Sequence, residues 1–205
     1  IQATTLRSLQ DLGHLPLRPE RLEVAQQTLA QAIREVSERE KDRLSPAIER
    51  VWQDEIASMT HDLRIWLERL TDEGVDWTPE RFEFAFGLPD MEGRDPRSTR
   101  EPAVIDGRYQ LRGSIDMIER HRETNFLRVT DHKTGRRPER IEHVIVGGGA
   151  VLQPVLYGLA VEAALARRVI ASRLFYATAA GGFDGRANAR TWSKTANAIA
   201  NVIIS

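Results

Sequence analysis

The hydrophobic period of the chain changes once, near residue 77, and that change limits the fold more than any other feature. Before it, apolar residues recur at steps of three and four. Leu22, Ala25, Leu29, Ala32, Ile33 and Val36 form one series. Ile48, Trp52, Ile56, Met59, Leu63, Trp66 and Leu70 form a second. Each series lays one apolar stripe along a helix. "EKDRLSP" separates them, with Pro46 placed to open the second helix and Gly74 to close it. Trp52 and Trp66 lie on the stripe and are expected in the core. After "DWTPE" the pattern becomes that of strands.

Four segments then follow a strand pattern, at 81–87, 109–120, 125–133 and 169–179. The second and third are separated by a short polar turn, "HRET", and a hairpin is the simplest connection. Residues 89–103 are rich in proline, glycine and charge and are expected to form a loop. "GGG" at 147–149 leads into an apolar helix, "AVLQPVLYGLAVEAALA", and a last helix is expected from "ARTWSKTANAIANVII". No "GxxxxGK[ST]" pattern follows those glycines, so they read as a hinge or helix entry. The sum is a mixed sheet with helices packed on it, an α/β architecture. Residues 1–75 are expected to form a helical subdomain or arm, and residues 76–205 the core.

Charge and composition exclude several functions. The 205 residues carry a net charge of −1, so any nucleic-acid surface must be a local patch. There is no cysteine, which excludes disulfides, thiolate zinc and cysteine-held iron–sulfur clusters and fits a reducing, cytoplasmic setting. No apolar run approaches the roughly 18–20 residues of a membrane span. The chain starts at Ile1 rather than methionine, and it is read as an excerpt of something longer.

The chemistry concentrates in "LRVTDHKTGRRPER", residues 127–140. Strand alternation sends Asp131 and Lys133 to one face and His132 to the other. The preceding strand offers Asp116 in "GSID". If the two strands pair, these carboxylates approach at one end of the hairpin. Two buried carboxylates repel unless they share a proton or hold a cation. Hard oxygen ligands of this kind suit magnesium or manganese. A lysine beside them can hold a water or offset a developing anion. Gly113 leaves room for a close approach. Taken singly, "GSID" and "DHK" are equally turn or solvated-charge patterns. Arg128, Lys133, Arg136, Arg137 and Arg140 form a local basic cluster suited to phosphates, or a solvated basic loop. Glu83 is either a partner to the site or a strand-edge charge.

"GSIDMIER", "VTDHKTG" and "LQPVLYGLAVE", in that order, resemble the PD-(D/E)XK nuclease superfamily, and more narrowly the RecB/AddB type of nuclease domain. The resemblance implies a restriction-endonuclease-like fold and metal-dependent cleavage of DNA. It implies that Asp116 and Asp131 bind Mg2+ or Mn2+, that the His132 carbonyl completes part of the metal shell, and that Lys133 assists the attacking water. It further implies that Gln153 and Tyr157, the family's "QxxxY" pair, contact DNA or order the site. Four residues apart, they share a helix face. Arg136, Arg137 and Arg140 are the expected phosphate contacts, and a helicase or recombination protein the expected partner. The family's early-helix histidine has no counterpart in His14 or His61, and is expected before Ile1. A nuclease-like scaffold that holds DNA or docks a helicase without cutting is the alternative. A small-molecule phosphoryl-transfer enzyme is a third, weaker reading.

Overall fold

A computed structural model describes residues 1–136, 153–183 and 185. Arg137, Arg140, the glycines at 147–149 and the expected last helix lie outside the described residues. The helical half begins with α1 (Gln2–Asp11), α2 (Leu22–Leu44) and α3 (Glu49–Glu73). The strands are β1 (Trp77–Phe86), β2 (Ala103–Ile105), β3 (Tyr109–Leu111), β4 (Gly113–His121), β5 (Leu127–Lys133) and β6 (Val169–Tyr176). Helix α4 (Gln153–Leu165) precedes β6. Among the described residues, no helix is long and apolar enough to cross a membrane.

The main sheet runs β1-β4-β5-β6, and β2 pairs with β3 in a separate two-stranded sheet. β4 is antiparallel to both β1 and β5, whereas β6 is parallel to β5. The sheet is therefore mixed, with helices on both faces. On one face Leu6, Leu9, Leu29, Ile33, Trp66 and Leu67 pack with Phe82, Met117 and Phe175. On the other, Ala160 and Val161 of α4 pack with Phe84, Phe86, Ile115, Ile118 and Val129. The first 75 residues thus supply one wall of the core through their apolar stripes.

Several local expectations differ from the structure. α3 starts at Glu49, so Pro46 lies in the connection before it. Gly74 does close α3, but with a right-handed φ of −62°. A side chain is excluded there because a Cβ would lie 1.9 Å from the Leu17 carbonyl oxygen. Trp66 is buried as expected, whereas Trp52 is only half-buried, in a cavity of about 640 Å³ beside Ile56 and Met59. The expected strand 109–120 is two strands. β3 turns aside at Arg112 to pair with β2, and β4 starts afresh beside β1.

Candidate active site

The site forms where β4 and β5 part. Their pairing ends at Met117↔Thr130. One step further, Asp116 stands opposite Asp131. The strands no longer pair there by backbone alone: the His132 N–H donates to Asp116 Oδ2 at 2.6 Å. Asp116 is thereby tied to the strand that carries the other acid.

β1 adds a third carboxyl at this level. Phe82 pairs with Met117 and Phe84 with Ile115, so Glu83 stands opposite Asp116. Phe82 packs toward the N-terminal helices while Phe84 packs toward α4. That reversal between alternate residues needs a kink, and Glu83 supplies it with a φ of +56°. A left-handed conformation is strained for any residue with a Cβ. Burial raises the Glu83 pKa, against the pull of Arg7 and Arg94.

Asp131, Lys133 and Gln153 close a triangle. Lys133 Nζ lies 2.6 Å from Asp131 Oδ2 and donates to Gln153 Oε1 at 3.1 Å. Gln153 Nε2 donates to Asp131 Oδ1 at 3.1 Å and to Tyr157 Oη at 3.0 Å. Pro154 falls in the first turn of the described helix, where it removes no needed donor. Tyr157 packs edge-on to Phe86, and its ring occupies the space that Gly113 leaves open. Asp131 Oδ2 is buried with the Lys133 ammonium as its charged neighbour.

The charges follow from this packing. Burial is the largest influence on Asp116, and Asp131 and Glu83 add to it, against the His132 N–H and Lys133. The pKa rises from 3.8 to about 6. Burial works against the Lys133 ammonium, but Asp131 and then Asp116 outweigh it and raise its pKa. Lys133 is thus held as a cation, unsuited to act as a base near neutrality.

His132 faces α3, as alternation requires. Its Nε2 accepts from Trp66 Nε1–H at 3.2 Å, and its ring meets Trp66 and Phe175 edge-on. Burial, with Arg173 nearby, lowers its pKa to about 3, so the ring is neutral.

Behind the site, Arg128 leaves the expected basic cluster altogether. It donates to Glu119 through Nε at 2.7 Å and Nη2 at 2.6 Å, reaches Glu73, and stacks 4.4 Å from the Trp77 ring. Arg173 joins through Glu73 Oε1 at 2.6 Å, and Thr130 donates to Glu119 at 2.7 Å. Burial alone would raise the Glu119 pKa, but Arg128 and Arg173 hold it at about 2. An arginine wholly enclosed in this way is no phosphate contact. Arg136 remains exposed just beyond β5.

The site fits a hard divalent ion in one specific respect. The largely buried Asp131 carboxylate lies near enough to a second carboxyl, Asp116, to help raise its pKa. Magnesium is commonly held by one or two carboxylates with water and phosphate completing its shell. Among the described residues, no three histidine or acidic side chains converge as a metal cage.

Reasoning along the sequence missed the Trp66–His132 bond and the Glu83 kink. The first joins residues 66 apart. No periodicity signals either.

No curated protein matches the chain closely enough to count as a relative. Residues 5–197 match the PD-(D/E)XK nuclease superfamily, nearly the whole length. With a mixed sheet flanked by helices and an acid–lysine pair at the end of β5, the chain belongs to the PD-(D/E)XK nuclease superfamily.

Proposed function

We propose that the chain is a RecB/AddB-type nuclease domain that hydrolyses DNA phosphodiester bonds with a divalent metal. Residues 76–205 are its nuclease core, and residues 1–75 a helical subdomain packed on one face. Asp116 and Asp131 hold Mg2+ or Mn2+, with the His132 carbonyl as a further ligand. When bound, such an ion supplies polarisation of the phosphate and a more acidic water. Lys133, kept protonated by its two acidic neighbours, orients that water and offsets charge in the transition state. Gln153 holds Asp131 and Lys133 at fixed spacing, and Tyr157 holds Gln153. Arg136, Arg137 and Arg140 take phosphates along the strand. DNA-end processing beside a helicase or recombination partner is what the resemblance to this type implies.

The observation that carries the reading is the Asp131–Lys133–Gln153 triangle, in which one carboxylate is held by both the ammonium and the amide. The test is incubation of the chain with manganese and end-labelled single- and double-stranded DNA, with Asp131→Asn alongside. Cleavage by the parent and none by D131N supports the proposal. Intact DNA in every lane sinks it. A non-cutting scaffold is the second reading, favoured by the lack, among the described residues, of three histidine or acidic side chains grouped as a metal cage. Manganese binding measured by calorimetry separates the two, since a scaffold that lost its ion would release no heat.

A further inference from the structure

His132 sits between the two strands' chemistry and the helical face, and its ring has a nitrogen that nothing explains. Trp66 Nε1 can only donate, so the ring nitrogen it meets, Nε2, carries no proton. The proton of the neutral ring therefore resides on Nδ1. That N–H is buried and lacks a hydrogen-bond partner among the described residues. The carboxylate oxygen it faces is Asp116 Oδ2, at 3.9 Å. The same oxygen accepts the backbone N–H of His132 at 2.6 Å.

We propose that the His132 imidazole is a positioning residue, which steers the Asp116 carboxylate through Nδ1–H while Trp66 fixes which ring nitrogen carries the proton. The inference rests on the reading of Asp116 as a cation ligand. A gap of 3.9 Å is too long for a hydrogen bond, so the role requires the carboxylate to turn toward the ring until the gap closes to the ~3 Å of an N–H···O bond. A buried donor without a partner is costly, so the ring biases Asp116 toward the position that satisfies it. The backbone N–H and the ring N–H then hold one oxygen from two directions. The other oxygen of Asp116 is left to face Asp131 and an ion. Trp66 belongs to α3, so the orientation of a ligand on β4 is set by a helix on the opposite side of the sheet. Partners of this kind commonly tune ligand orientation in metal sites.

The experiment is calorimetric titration of the 205-residue chain with manganese alone, for the parent, His132→Phe and His132→Asn. Phenylalanine fills the space between Trp66 and Phe175 without either nitrogen. Asparagine returns an N–H near the position of Nδ1. The expected result is affinity weakened about tenfold or more in H132F, with H132N closer to the parent than to H132F. A purely structural histidine would lower the melting temperature of both variants and leave affinity unchanged. H132F that is folded and binds as the parent does overturns the proposal, and so does H132N no better than H132F. Failure of the parent itself to bind manganese sinks the cation-ligand reading instead. Should H132F not fold, long-range nitrogen–proton NMR of the parent decides: a proton on Nδ1 is expected, and one on Nε2 overturns the assignment.

Discussion

Replacing Asp116 with asparagine should make the metal-free protein more stable while abolishing its chemistry. The pKa of Asp116 rises from 3.8 to about 6 because folding buries the carboxylate beside Asp131 and Glu83. The difference, about 2 pH units, converts to about 3 kcal/mol of destabilisation when the group is ionised. The side chain is 34% exposed, so solvent screens part of this, and about 1–2 kcal/mol is the expected remainder. Asparagine keeps the shape and can still accept the His132 N–H. For a chain of this length that corresponds to a gain of about 2–8 °C in Tm at pH 7–8. The sign of the pH dependence follows from linkage. A carboxyl whose folded pKa is raised binds a proton more readily in the folded state, so wild-type stability is regained as pH falls through about 6 toward 4. The advantage of D116N should shrink across that window. Differential scanning with chelator at pH 4, 5, 6, 7 and 8 reads it directly. Manganese should reverse the order at pH 8 by stabilising only the parent. A Tm for D116N at or below the parent's at pH 8, or a difference that ignores pH, refutes the electrostatic account of the site.

Three further outcomes follow from the same geometry. Manganese affinity should fall as pH drops below about 6, because a proton on Asp116 competes with the ion, and titrations at pH 5 and pH 8 check this. Glu119→Gln should cost about 3–5 kcal/mol by leaving two buried guanidiniums short of a counter-charge, read by urea melts. The depressed pKa of Glu119 gives stability present above about 4.5 and lost toward about 2, so acid unfolding in that range should flatten in E119Q. Gly74→Ala should destabilise by about 1–3 kcal/mol, since its methyl would meet the Leu17 carbonyl oxygen, and an unchanged melt would contradict the packing of α3.

The long helices were legible because Leu29, Ile33, Trp66 and Leu70 recur at the helical period and all become buried. α1 was not singled out, because its buried face is only Thr5, Leu6 and Leu9. The break at Arg112 was invisible because alternation runs straight through "YQLRGSIDMIER". It is imposed from outside: β4 must align with β1, while β3 peels away to meet β2. In the site, Asp131 and Lys133 could be paired from their spacing alone, and Gln153 and Tyr157 likewise. Arg128 could not be separated from its basic neighbours, since its partners Glu119 and Glu73 lie 9 and 55 residues away. Glu83 gave no sign of its kink, because a backbone reversal depends on which helices cover each side.

β5 divides its labour residue by residue. Arg128, Thr130 and His132 anchor the strand to α3 and to Glu119, while Asp131 and Lys133 address α4. A slip of a single position would exchange anchors for reagents: in one direction Asp131 would fall against Glu119 with His132 in its place, and in the other Thr130 would stand where Asp131 belongs. Length changes inside this strand are thus forbidden twice over.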